Sequence, residues 1–142
     1  MTIIYDITYN GIKNICYIIY KGGKFVQNFE VDFFKKKDGS CPVRDFILSL
    51  DKKMRAKVYR ELDLLEEYGY ELREPHSKAI EDGIFELRAK QGSNITRILY
   101  FFIIDKKIIL TNGFVKKTQS LPAKELQIAK KFREDYLNRK VD

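Results

Sequence analysis

The sequence predicts an α/β (α+β) domain, in which two amphipathic helices precede an antiparallel meander of three strands and a last helix follows it. Residues 84–90 alternate between apolar and polar side chains, which is typical of a strand with different surroundings on its two faces. Residues 95–104 are nearly all β-branched or aromatic, which indicates a strand covered on both faces. Short polar links join these strands to a third at residues 108–115, and such links require antiparallel neighbours.

Two helices are predicted before the meander. Pro42 suits the first position of a helix that ends near residue 50, because its missing N–H would have no partner there. Asp51 can cap a second helix over residues 52–68, and Gly69 can end it. Four apolar residues at helical spacing form one stripe on this second helix, which predicts a core-facing helix and not a cofactor site: Met54, Val58, Leu62 and Leu65.

Three further segments complete the predicted domain. Residues 29–34 alternate loosely and predict a strand. Residues 70–82 form a polar connector that leads into the meander and can hang over the face of the sheet. The last helix begins near Pro122 and ends near residue 138, and its outer face is basic. A solvated face is the ordinary interpretation of such a run of charge.

Composition narrows the classes of function. The 142 residues fit one domain with its own core, and the apolar run at residues 98–104 is too short to span a bilayer. The two cysteines form no CxxC motif and there is a single histidine, which predicts reduced thiols in a cytoplasm and no metal site. The formal net charge of +7 favours a polyanionic partner, either nucleic acid or an acidic protein.

Candidate chemistry lies where the strand pattern breaks. Arg88 and Arg97 interrupt strands that are otherwise apolar, and Lys116 with Lys117 closes the third strand. A guanidinium in a central strand is costly to bury unless it is paired or faces an anion. Two interpretations therefore stay open: both arginines pair with Glu86 or a C-terminal acid, or both face a bound phosphate.

The order of these motifs resembles the phage-derived, HigB-like branch of the RelE/ParE toxin superfamily. The resemblance covers roughly residues 27–138, so residues 1–26 are interpreted as an N-terminal extension with poor order and residues 27–142 as the toxin domain. The motifs that carry it, in chain order, are Asp38-Gly39, Pro42-Val43, Gly69, Pro75, Glu86-Leu87-Arg88, Arg97-Ile98-Leu99-Tyr100-Phe101, Gly113-Phe114-Val115-Lys116-Lys117-Thr118-Gln119, Pro122, Ala129 and Tyr136.

Two interpretations of the extension stay open. Residues 3–9 and 15–20 can be two strands of an extra hairpin that turns at Asn10-Gly11. Alternatively, the family-like protein begins near Val26, and the preceding residues come from an upstream start assignment.

The resemblance implies a RelE-like antiparallel sheet with the two early helices packed on one face and an active surface on the opposite face. It further implies a toxin of a type II toxin–antitoxin system, acting in the cytoplasm as a ribosome-dependent endoribonuclease on mRNA. The nucleophile is the 2′-hydroxyl of the RNA, so no metal or cofactor is required. The expected partners are the ribosome, mRNA and a cognate helix-turn-helix antitoxin, with no membrane.

Site residues follow from the motif positions. Arg97 is expected to bind phosphate and transition-state charge, with Arg88 assisting and Lys116 or Lys117 holding the neighbouring phosphate. Lys124 and Lys131 of the last helix can extend the phosphate-binding surface.

The acid and base are less constrained by the motifs. Glu86 stands where RelE has a catalytic lysine and is a candidate base, and His76 or Lys78 can exchange protons from the connector. Tyr100 is a candidate acid or stacking partner, although strict alternation places it on the face opposite Arg97.

Two other functions compete with RNA cleavage. A ParE-like toxin acts on DNA gyrase by binding protein, and it is expected to lack the basic constellation on the sheet that this chain retains. A non-catalytic basic nucleic-acid-binding module would carry an exposed aromatic ladder or a recognition helix, and the sequence shows neither.

Overall fold

The computed structural model of the protein describes residues 18–21, 24–27, 29–116 and 121–140. The predicted α/β (α+β) class is confirmed, and the helices lie where the periodicity and caps predict them. The elements are β1 (Ile18–Lys21), β2 (Lys24–Gln27), β3 (Glu30–Phe33), α1 (Pro42–Ser49), α2 (Lys52–Tyr68), a 3₁₀ turn (Gly69–Glu71), β4 (Ser77–Glu81), β5 (Ile84–Gln91), β6 (Asn94–Ile103), β7 (Lys107–Lys116) and α3 (Ala123–Lys140).

In the part of the chain that the structure describes, five strands form the main sheet in the order β3-β7-β6-β5-β4. The meander β5-β6-β7 is antiparallel, as predicted, and β4 adds to it in the same sense. The sheet is nevertheless mixed, because β3 pairs with β7 in parallel. Parallel pairing is possible here because α1, α2 and three strands separate β3 from β7 along the chain, which is ample length for a crossover.

The polar connector contains a strand that the sequence pattern did not predict. Among the described strands, β4 forms an edge of the sheet and pairs only with β5. Its sequence, Ser-Lys-Ala-Ile-Glu, lacks both a β-branched run and a clear alternation, because most of an edge strand faces water. Pairing with the neighbouring strand decides its conformation, and local propensity does not.

The N-terminal prediction is tested only in part. Residues 3–9 and the turn at Asn10-Gly11 lie outside the described residues. The strand predicted at residues 15–20 overlaps β1, and within the described residues β1 pairs with β2 in a separate antiparallel hairpin.

The two early helices pack on one face of the sheet, as the resemblance implied. The side chain of Asp51 accepts a hydrogen bond from the Met54 N–H at 2.9 Å and so caps α2. The predicted apolar stripe of α2 lies in the core against β5, β6 and β7. The buried residues of this face are Val31, Cys41, Val43, Ile47, Leu50, Met54, Val58, Leu62, Leu65, Leu87, Ala89, Ile98, Tyr100, Ile108 and Leu110.

α3 packs on the opposite face of the sheet. Leu126 and Ala129 are buried there against Ile84, Phe101 and Ile109, so β6 is covered on both sides, as its composition predicted. This second core lies toward one end of the central strands. The charged residues that concern function lie on the same face, toward the other end.

Candidate functional site

Strand pairing brings the two predicted arginines together. Arg88 on β5 is the direct partner of Arg97 on β6, and Arg97 is in turn the partner of Phe114 on β7. Phe114 packs against the α3 core, which identifies the face that this row shares. Glu86 lies two residues before Arg88 and therefore on the same face.

A β-bulge decides where Lys116 lies. Leu110 faces α1 and α2, so strict alternation would place Lys116 on that side as well. Thr111 is the extra residue, because Tyr100 pairs with Leu110 and Leu99 pairs with Asn112. The Thr111 hydroxyl donates to the Leu99 carbonyl at 3.0 Å and so holds the bulge. The residues beyond the bulge shift to the face of Arg97.

Glu86 is the shared counter-ion of both arginines. Its side chain is 1% exposed; Oε1 accepts a hydrogen bond from Arg97 Nη1, and Oε2 lies 3.6 Å from Arg88 Nε. Of the two interpretations left open by the sequence, pairing with Glu86 is therefore observed. It does not exclude phosphate binding, because one carboxylate cannot neutralise two guanidinium groups.

Lys116 and Lys78 add positive charge beside this pair. Lys116 is 7% exposed, and burial lowers the pKa of its ammonium group, with the charge of Arg97 adding to the effect. Lys78 on β4 is the register partner of Glu86, and its charge also acts on Lys116. We call Lys78, Glu86, Arg88, Arg97 and Lys116 the arginine–lysine cluster.

The cluster is chemically suited to an anion. Its four basic side chains face a single carboxylate, so the excess charge at this end of the sheet is positive. Two buried donors make no hydrogen bond within the described residues: Nε of Arg97, and Nε of Arg88, which lies 3.6 Å from Glu86 Oε2 and is in an ion pair only. Buried polar atoms without hydrogen-bond partners are rare in native proteins, and they usually bind a ligand or a water molecule. A lysine with a lowered pKa can also exchange protons closer to neutral pH.

His76 and Tyr100 are not brought into the cluster. The imidazole Nδ1 of His76 lies 2.9 Å from Oε2 of Glu61 on α2, the helix that covers the other face. Tyr100 is buried in that helix-covered core, and its hydroxyl hydrogen-bonds Ser77 at 2.5 Å. Burial raises the pKa of Tyr100 to about 12. These placements argue against the predicted roles of His76 in catalysis and of Tyr100 in RNA contact, and alternation had already pointed away from Tyr100.

The remaining predicted residues lie on α3 or outside the described residues. Lys117 is outside the described residues. Lys124 is exposed in the first turn of α3, and Lys131 is exposed two turns further along that helix.

Asn112 is a residue of this region that sequence reasoning missed. Its amide donates to the main-chain carbonyl of Glu125 at 3.1 Å and to Glu125 Oε2 at 2.9 Å. Asn112 thereby ties the start of α3, with Lys124, to the strand that carries Lys116. The one signal in the sequence was an amide within an apolar strand, and that signal does not reveal a partner.

Two absences hold for the described ranges alone. They contain no helix long and apolar enough to cross a membrane. They also contain no group of three or more His, Cys, Asp or Glu side chains arranged to hold a metal ion.

Comparison with known proteins identifies the family. Residues 45–134 match the family model described as "Phage derived protein Gp49-like (DUF891)". A search of curated proteins gives no match. The matched range is more than half of the chain and contains α2, the meander and every residue of the arginine–lysine cluster. The chain therefore belongs to the phage-derived Gp49-like family, which is a toxin-like family of the RelE/HigB type.

Proposed function

We propose that the protein is the toxin of a type II toxin–antitoxin system and that it cleaves mRNA on the ribosome. The observation that carries this proposal is the arginine–lysine cluster: the buried guanidinium of Arg97 and the half-buried guanidinium of Arg88 share the carboxylate of Glu86 on a sheet face, and the buried Lys116 adds positive charge beside them. The toxin-like family supports the same interpretation. Residues 27–142 are the proposed toxin domain, which contains the matched range, and residues 1–26 are an extension to it.

The reaction needs charge stabilisation and proton transfer, and no metal. The 2′-oxygen of the RNA attacks the adjacent phosphorus, the bond from phosphorus to the 5′-oxygen breaks, and a 2′,3′-cyclic phosphate and a 5′-hydroxyl result. Arg97 and Arg88 bind the non-bridging oxygens of that phosphate and stabilise the added negative charge of the phosphorane. Lys117 follows Lys116 in the sequence, and Lys124 precedes Glu125, which Asn112 binds. In this proposal both lysines contact neighbouring phosphates, and Lys131 extends that surface.

The structure favours a different role for Glu86 from the catalytic base predicted by position. Both oxygens of the buried Glu86 carboxylate are engaged by arginines, Oε1 by Arg97 and Oε2 by Arg88. Glu86 therefore orients the guanidinium of Arg97 and acts through it. Lys116 is the better candidate to exchange a proton with the 2′- or 5′-oxygen, because its pKa is lowered beside Arg97, and Lys78 is the alternative.

The decisive experiment combines growth with mapping of mRNA ends. Expression of the chain alone should arrest growth and generate new mRNA 5′ ends within translated regions. Arg97→Lys keeps a positive charge beside Glu86 but loses the planar fork, so cleavage should fall by about 10²-fold or more. Arg73→Lys is the matched control, because Arg73 is exposed and, among the described residues, its side chain hydrogen-bonds only the Tyr70 carbonyl.

Contrary results would be clear. A folded Arg97→Lys protein that cleaves mRNA like the wild type would remove the catalytic assignment. Growth arrest with intact mRNA but inhibited DNA supercoiling would favour a gyrase-directed toxin instead.

The proposed partners follow from the same family. A small helix-turn-helix antitoxin encoded in the neighbouring reading frame should bind the chain and restore growth when it is co-expressed. Rescue that fails with every adjacent reading frame would count against the two-component module.

A further inference from the structure

The solvent-facing side of α2 carries a concentration of basic residues that the proposed active site does not use. Lys52, Lys53, Lys57 and Arg60 are all exposed, and Ala56 is the apolar residue between them. At 100° per residue, these positions fall on one side of the helix. We call Lys52, Lys53, Lys57 and Arg60 the α2 basic face.

This arrangement does not serve helix stability. Lys52 and Lys53 occupy the first turn, which has no acidic residue, although the helix dipole favours negative charge there. Lys53 and Lys57 are four residues apart, and Lys57 and Arg60 are three apart, so like charges are neighbours. The acidic residues of α2 instead lie toward its C-terminal end, where the dipole disfavours them: Glu61, Asp63, Glu66 and Glu67.

The rest of the described chain shows how its basic residues are otherwise accommodated. On α3, Lys130 pairs with Glu81, Arg133 with Asp82, and Arg139 with Asp135. Across the described residues, no ion pair involves a side chain of the α2 basic face. Four exposed charges therefore remain available to a partner, at a cost to the helix that carries them.

The α2 basic face and the arginine–lysine cluster point away from each other. α2 packs on the sheet face that holds Leu87 and Ile98, whereas Arg88 and Arg97 lie on the opposite face. One short phosphate segment cannot contact both surfaces. The α2 basic face is therefore a separate surface and does not extend the cluster.

We propose that the α2 basic face binds the phosphate backbone of double-helical RNA. Lysine is depleted in the cores of protein–protein interfaces, and the exposed aromatic residue of α2, Tyr68, lies more than two turns beyond Arg60, so no anchor lies among these four residues, which disfavours a protein partner. It also offers no aromatic platform on which single-stranded bases could stack. Lys53 to Arg60 span about 10 Å at 1.5 Å per residue, enough to follow consecutive phosphates of one strand. The proposal is independent of cleavage by the cluster.

The test measures RNA binding by the full chain, which is produced by cell-free synthesis. The probe is an RNA duplex of about 16 base pairs. Its binding is measured by fluorescence anisotropy between about 50 and 200 mM salt. The paired substitution Lys53→Gln with Lys57→Gln should weaken binding about tenfold or more at low salt. The slope of log K against log salt should shrink by about 2, because two lysines no longer neutralise a phosphate each. Glutamine has nearly the helix propensity of lysine, so α2 is retained.

Two controls separate this surface from total charge and from the active site. Lys35→Gln with Lys37→Gln removes the same charge from exposed positions between β3 and α1, and should leave duplex binding close to wild type. Arg97→Lys should also bind the duplex normally, although it impairs cleavage. An equal fall in affinity in either control and in the α2 variant would overturn the proposal.

Two further outcomes decide the partner and exclude misfolding. Lys53→Glu should raise the melting temperature, because it places an acid at the helix N-terminus, while it weakens duplex binding about tenfold or more, since it changes the charge of the face by two as the paired substitution does. An unchanged affinity in this variant would refute the proposal whatever its stability. Competition by polyglutamate as effective as that by duplex RNA, with the same dependence on Lys53 and Lys57, would assign the face to an acidic protein and refute the RNA assignment.

Discussion

The strongest test of the site concerns the buried pair of Glu86 and Arg97. The side chains are 1% and 6% exposed, and Arg88, at 24%, can reach solvent. Glu86→Leu leaves the Arg97 guanidinium buried without its counter-ion and should destabilise the protein by about 3–5 kcal/mol, the usual cost of removing one partner of a buried ion pair. Arg97→Met leaves the buried Glu86 carboxylate with Arg88 as its remaining counter-ion, 3.6 Å from Oε2, so its cost should lie at the lower end of that range, about 3 kcal/mol.

The double variant Glu86→Leu with Arg97→Met should be far less destabilised than the sum of the two singles. It buries neither charge alone, and apolar replacement of a buried pair is often close to neutral. The expected coupling energy is therefore about 3 kcal/mol or more, well above the error of a cycle between contacting residues. The same double variant should be inactive, because it lacks the guanidinium proposed to bind phosphate.

The assay is urea unfolding at pH 7 of the wild type, both singles and the double, followed by circular dichroism. Free energies come from linear extrapolation, and equal m-values are required for the comparison. Glu81→Leu with Lys130→Met is the control, because this pair lies at the surface and should couple by less than about 1 kcal/mol. Additive effects of Glu86→Leu and Arg97→Met would refute the interpretation of Glu86 as the counter-ion of Arg97.

Three further predictions concern the scaffold. Burial raises the pKa of Glu66 from 4.5 to about 8, so between these values the native state holds a proton that the unfolded state lacks. The free energy of unfolding should therefore fall by about 1.4 kcal/mol per pH unit as pH rises over that range, and level off above it. Urea unfolding midpoints measured from pH 5 to 9 should show this fall, and the Glu66→Gln variant should not. Gly113→Ala places a Cβ 2.5 Å from the ring of Phe46 and should cost about 1–3 kcal/mol by urea unfolding, less when Phe46→Leu makes room. Asp51→Ala removes the cap on the Met54 N–H and should cost about 1 kcal/mol by thermal melting, and an unchanged melting temperature would count against the cap.

The sequence alone determined the elements whose signal is local. The apolar stripe of α2 follows a period of 3.6 residues, and Asp51 and Gly69 mark its ends, so the helix bounds were predictable. The alternation in β5 predicted which of its residues share a face, and the composition of β6 predicted cover on both sides. These patterns can be recognised in the sequence because each one involves only residues within one or two helical turns, or along a single strand.

The tertiary structure decided which of those residues meet. The bulge at Thr111 brings Lys116 to the face of Arg97, and the pairing of β4 with β5 sets Lys78 opposite Glu86. Partners on other elements likewise hold two of the candidate side chains away from the cluster: Glu61 holds His76, and Ser77 holds Tyr100. Strand register, a one-residue bulge and edge pairing depend on contacts between segments far apart in the chain, and no local pattern encodes them.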